Sequence, residues 1–258
     1  MIVTRFAPSP TGHLHLGHAF AALTASQSGE RFLLRIEDID RGRCRPEFEA
    51  AIYDDLAWLG LRWEEPVLRQ SERSDAYREA LVRLAPFTYR CICTRKDIVA
   101  AAGAPHGDEG PLYPGTCRHR ASAESGPYAI RLDAAKAARH VGPLTFKEHD
   151  RTLEVDPLLL GDVVIARKGL PAAYHLAVVV DDAHQGVTLV TRGIDLLPSA
   201  HVQRLLQALL GLPAPAYAHH RLILDTQGHK FSKRDAAMML HTLREQGVTV
   251  SDIRSQLF

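Results

Sequence analysis

The chain has 258 residues, 46% hydrophobic and 24% charged, with a formal charge of +1, the make-up of a globular protein long enough to bury a core. No apolar run approaches the ~18 residues of a membrane span and no secretory signal pattern opens the chain, so no membrane association and a cytoplasmic location are expected. A charge this close to zero excludes a uniformly basic nucleic-acid binder; RNA contact would have to draw on local positive charge.

Residues 2–7 read as a buried strand, the prolines and Gly12 of PSPTGHLHLGH (8–18) as a loop, and residues 16–28 as an alanine-rich helix. Residues 31–36 (RFLLRI) form a second strand. Pro46 suits a first helical turn, and 47–59 carries Phe48, Ile52, Leu56 and Leu59 at helical spacing. Strand, loop, helix, strand, helix in that order predicts an α/β architecture, a Rossmann-like doubly wound parallel sheet. A further helix is expected at 74–84. From about 86 to 171 the texture changes to cysteines, the glycine- and proline-rich GAPHGDEGPLYPG and short runs without periodicity, which reads as an insertion. The regular pattern returns with the buried-type run 175–180 (HLAVVV), then 187–191, a helix around 199–210 and a strand around 221–224.

A loop at the carboxyl end of a first parallel strand, running into a helix, is where open α/β sheets bind ligands, and the helix start attracts phosphate. His15 and His18, three apart, share one face there, and Gly17 allows close approach to the backbone. A zinc site of His13, His15 and His18 lacks a nearby carboxylate or cysteine to complete it. Far along the chain Lys230, Lys233 and Arg234 crowd into KFSKR after Gly228, cations able to close over a triphosphate and stabilise charge on departing pyrophosphate. Within the insertion, Cys91 and Cys93 form a C-x-C with Cys117 further on. Three thiolates and a fourth ligand would make a structural zinc knot, and ligand chemistry alone favours His106 or His119 over Tyr113 as the fourth. Cys44 stands apart as a lone thiol.

RFAPSPTGHLHLGH and KFSKR resemble the two signature motifs of class I aminoacyl-tRNA synthetases. More narrowly, RFAPSPTG, LLRIEDIDR and YHLAVVVDDAHQGVTLVTRG resemble the catalytic half of glutamyl-tRNA synthetases, over residues 2 to about 240. The resemblance implies activation of L-glutamate by ATP with Mg2+. Arg5, Phe6, Ala7, Pro8, Ser9, Glu37, Tyr174 and Arg192 would bind glutamate, with Glu37 on the ammonium group and Arg192 selecting glutamate over glutamine. His15, Gly17, His18 and Lys233 would bind ATP, and His15, His18, Lys230 and Lys233 would be catalytic. It also implies one Zn2+ on Cys91, Cys93, Tyr113 and Cys117, since the spacing matches short glutamyl synthetase-like proteins. Ile39 and Phe231 depart from the usual threonine and methionine without removing chemistry.

The expected division is 1–85 and 172–224 as the two halves of the catalytic domain, 86–171 as a zinc-binding, acceptor-type insertion, and 225–258 as the lysine loop and a C-terminal helix. The chain stops at Phe258, so no anticodon-binding domain is expected. A core with these motifs and no such domain resembles the glutamyl-Q tRNA(Asp) synthetases, which implies tRNA-independent glutamate activation. It further implies transfer to the cyclopentene-diol of queuosine in the anticodon stem-loop of tRNA(Asp), by a monomer. Alternatives are a compact core charging tRNA(Glu) and a non-catalytic RNA-binding relative.

Overall fold

The computed structural model describes residues 1–102, 112–120, 126–224 and 238–258. In chain order these form β1 (Val3–Phe6), α1 (Leu16–Ser28), β2 (Arg31–Ile36), α2 (Pro46–Trp58), β3 (Glu64–Arg69), α3 (Ser74–Leu84), β4 (Thr88–Cys91), α4 (Arg95–Ala102), β5 (Ala129–Leu132), α5 (Ala134–Val141), β6 (Thr145–Glu148), β7 (Arg151–Glu154), β8 (Val164–Arg167), α6 (Tyr174–His184), β9 (Leu189–Gly193), α7 (Leu197–Leu209), β10 (Ala216–His220), α8 (Leu240–Glu245) and α9 (Val250–Leu257). They fall into two compact units, residues 1–72 with 186–196 and 215–258, and residues 73–185 with 197–214.

In the first unit β1, β2 and β3 run parallel in that order, and β9 pairs parallel with β10. Val3 and Thr188 link β1 to the start of β9: the Val3 N–H donates to Thr188 Oγ1 at 2.9 Å, and the Thr188 N–H to the Val3 carbonyl at 3.0 Å. Ala19, Ala22 and Ala25 are buried on α1. Their small side chains let the helix lie close enough for the Thr4 hydroxyl to donate to the Ala25 carbonyl at 2.7 Å. The core unites Phe6, Leu16, Leu23, Leu34, Ile52 and Leu56 with Leu240, Ile253 and Leu257 from the end of the chain. Pro46 opens α2, as its fixed φ and missing N–H allow. The chain enters α8 beside the first loop: the Leu240 N–H donates to the Leu14 carbonyl at 2.9 Å, and Met239 bridges His15.

The second unit holds an antiparallel sheet in the order β4, β5, β8, a hairpin of β6 and β7, and helices α3 to α7. Asp181 is fully buried on α6, where the Tyr77 hydroxyl donates to it at 2.7 Å and Arg73 Nε at 3.1 Å.

Three elements were left open or displaced by the sequence pattern. The HLAVVV run lies inside a helix, α6, whose Leu176, Ala177, Val178 and Val179 are all buried; an apolar run covered on most sides carries no period to separate helix from strand. Among the described residues the last strand is β10, at AYAHH, just upstream of 221–224. The third parallel strand, β3, is the charged, proline-containing EEPVLR, which has no strand signature.

Candidate active site and cysteine cluster

The loop between β1 and α1 brings both histidines to the helix start. His15 is the N-cap of α1, its Nδ1 accepting from the Gly17 N–H at 3.1 Å, while its own N–H donates to His18 Nδ1 at 3.1 Å. The rings lie 3.8 Å apart. A nitrogen that accepts carries no proton, so both imidazoles are neutral with hydrogen on Nε2, the atom able to donate to a phosphate oxygen. Gly17 makes room for this cap, because a Cβ there would sit 3.0 Å from His15 Cε1. His13 faces elsewhere: its ring packs 4.2 Å from that of His241 and edge-on against Phe48, and burial and then the neighbouring His241 depress its pKa.

Of the residues expected at glutamate, Arg5 to Ser9, Glu37 and Arg192 belong to the first unit, on β1, on β9 and in the segments that follow β1 and β2. The Glu37 N–H donates to the Pro8 carbonyl at 3.0 Å, placing Glu37 beside Ala7, Pro8 and Ser9. Arg5 is buried and donates from Nη1 to the Thr191 carbonyl at 3.3 Å, next to Arg192. Phe6 turns its side chain into the core, leaving its backbone to the site. Tyr174 opens α6 in the second unit and is 38% exposed. Lys230 and Lys233 lie outside the described residues, as does His106.

Two supporting residues escaped the sequence reading. Arg35, fully buried in β2, donates from Nη2 to Glu37 Oε1 at 3.4 Å. A charged residue within the apolar run 32–36 of β2 was its only signal. His219 on β10 accepts from Arg192 Nε at 3.0 Å, and nothing in the local pattern marked it.

In the second unit Cys91 ends β4, and Cys93 falls two residues on, on the same side of the extended chain. A turn at residues 115–118, with Gly115 at φ +83°, returns Cys117 to Tyr113, whose hydroxyl accepts from the Cys117 N–H at 2.8 Å. The three sulfurs lie within 4.8 Å of one another, Cys93 Sγ being 3.5 Å from Cys117 Sγ and 3.7 Å from the Tyr113 hydroxyl. Tetrahedral zinc with bonds of ~2.3 Å would hold sulfurs about 3.8 Å apart, so the donor set fits that ion. His119 is exposed and outside the cluster.

Burial pushes the Cys93 thiol up to about 11. At Cys117 burial acts the same way but is outweighed by hydrogen bonding with Tyr113, the Ile92 backbone and the other two thiols, which brings it down to about 7. Behind the cluster, buried Asp162 accepts from Tyr89, from the Arg118 guanidinium at 2.9 and 2.6 Å, and from the Ala134 N–H at 3.0 Å. Arg131 donates to the Asp162 carbonyl at 2.7 Å and lies 3.8 Å over the Tyr113 ring.

Parallel strands with a paired-histidine helix start after the first of them form the catalytic fold of class I aminoacyl-tRNA synthetases. The model of the family "tRNA synthetases class I (E and Q), catalytic domain" matches residues 1–257. The chain belongs to that family, and is a ligase of the class I tRNA synthetase type. It is similar to the glutamyl-Q tRNA(Asp) synthetase of Rhodobacter capsulatus, 48% identical over 98% of each chain, and to that of Nocardia farcinica, 46% identical over 98% of this chain and 82% of the relative. Among solved structures it resembles a glutamate tRNA ligase from Elizabethkingia meningosepticum in complex with its amino acid (TM-score 0.71, 30% identity). That match covers 91% of this chain and 52% of the other, so the chain spans about half that protein's length.

Proposed function

We propose that this protein activates L-glutamate with ATP and Mg2+, without tRNA, and transfers the glutamyl group to the cyclopentene-diol of queuosine in the anticodon loop of tRNA(Asp). The observation that carries the reading is the match over 98% of both chains to a relative called glutamyl-Q tRNA(Asp) synthetase. A glutamate carboxylate oxygen attacks the α-phosphorus, the bond to pyrophosphate breaks, and a queuosine hydroxyl then displaces AMP from the adenylate. Arg5, Arg192 and Tyr174 hold glutamate, Glu37 holds its ammonium group, and the loop backbone of 6–9 lines the pocket. The Nε2–H groups of His15 and His18 donate to ATP phosphates, while Lys230 and Lys233 stabilise the departing pyrophosphate. No covalent nucleophile from the protein is required; positioning and charge stabilisation supply the catalysis.

Cys91, Cys93, Cys117 and Tyr113 hold a structural zinc that joins the 112–120 segment to β4. The enzyme works in the cytoplasm as a monomer. Incubation with ATP, labelled glutamate and tRNA(Asp), with or without queuosine, tests the reading. Label is expected on the queuosine-containing tRNA alone; label on queuosine-free tRNA or on the terminal adenosine refutes it.

A further inference from the structure

We propose that His219 is a positioning residue for glutamate recognition, holding the Arg192 guanidinium by its Nε so that its terminal end is aimed at a substrate carboxylate. The inference rests on the reading of Arg192 as a glutamate ligand and adds the residue that aims it.

The parallel register of β9 and β10 sets His219 opposite Arg192. Arg192 Nε donates to His219 Nε2 at 3.0 Å, and both residues are about 95% buried, at 5% and 6% exposure. Tyr217, two residues earlier and therefore on the same face of β10, stacks on His219 with ring centroids 5.9 Å apart and planes 5° apart. Its ring also faces the Arg192 guanidinium carbon at 5.2 Å. Arg192 is thus gripped at Nε by an acceptor and alongside by an aromatic face.

The chemistry of this grip is selective. Because Nε2 accepts, the His219 proton resides on Nδ1 and the ring is neutral. A neutral acceptor orients the guanidinium without cancelling its charge. An Asp or Glu at 219 would orient it as well, but would form an internal ion pair in competition with the substrate. With Nε–H committed to His219, the side-on edge of the guanidinium is occupied, which leaves carboxylate contact to its terminal end. The His219 lone pair is spent on Arg192, so this edge offers only donors to an incoming group. A carboxylate matches it, whereas the amide nitrogen of glutamine would face donors with a donor.

The test is glutamate-dependent exchange of pyrophosphate into ATP by the full chain and by His219→Leu, His219→Asn and His219→Gln, with folding checked by thermal melting. Gln can place a carbonyl near the Nε2 position, while Asn is too short to reach it. The Leu and Asn variants are expected to raise the glutamate KM about 10- to 100-fold, with the ATP KM unchanged and kcat at saturating glutamate within about threefold. Gln is expected to restore the glutamate KM to within about threefold of the original. If Leu fails to fold, the contrast between Asn and Gln carries the test. An unchanged KM in Asn, or equal losses in Asn and Gln, overturns the role of His219 and leaves the glutamate reading standing. Absence of glutamate-dependent exchange in the unaltered chain overturns both.

Discussion

Asp55 lies on the buried face of α2, 2% exposed, with Oδ2 lacking a hydrogen-bond partner among the described residues. Burial lifts its carboxyl from 3.8 to about 6, against the attraction of Arg244 and with a further push from Asp54. The folded state therefore binds this proton more tightly than the unfolded chain. Stability from this group is greatest below about pH 4, falls as the pH rises, and the deficit is complete above about pH 6. Its full size is about 3 kcal/mol, at ~1.4 kcal/mol per tenfold. Asp55→Asn removes the charge but leaves a buried amide that costs about 1 kcal/mol, so a net gain of about 2 kcal/mol is expected at pH 7.5 and none at pH 4. Trp58 and Trp63, the two tryptophans of the chain, belong to the same unit, so their fluorescence reports urea unfolding where it matters. The midpoint at pH 7.5 should rise by roughly 1 M for a slope of ~2 kcal/mol/M. A variant less stable than the original at pH 7.5, or a difference that does not change with pH, would refute the reasoning.

Cys91→Ser is expected to reduce bound zinc from about one ion per chain to none, measured by elemental analysis, with faster amide exchange at residues 112–120. Unchanged zinc content would remove Cys91 from the ligand set. Gly17→Ala should drive a methyl against the His15 ring and break the cap, which at ~1 kcal/mol is a rise of about fivefold in the KM for ATP. The glutamate KM is expected to stay as it was, both read from pyrophosphate exchange.

Where a segment had a clear period, sequence and structure agree closely. Residues 16–28, 31–36 and 74–84 are the bounds of α1, β2 and α3: α3 buries Tyr77, Ala80 and Leu84 at helical spacing, and β2 is a short apolar run buried along nearly its whole length. Residues 86–171 resisted reading, since their strands are four residues long and draw their partners from far along the chain: β4 pairs with β5 across about forty residues. The side chains expected at the site sit in contiguous motifs that the sequence displays directly. The residues that contact them do not. Arg192 and His219 are 27 residues apart and meet only through parallel strand register, a relation invisible to local pattern. Arg118 and Asp162, 44 residues apart, are hidden in the same way.

The Asp162 hub bears on how the cysteine cluster would hold a metal. Arg118 directly follows Cys117, and Tyr89 precedes Cys91 by two positions, so one carboxylate laces together both strands of chain that carry the thiols. In a small zinc finger the ion is the only fastening, and a chelator unravels the domain. Here the lacing is independent of any ion. Stripping the metal would cost the cluster its centre while its borders stay sewn, and reloading would proceed as ligand exchange at a ready-made seat, without a refolding step.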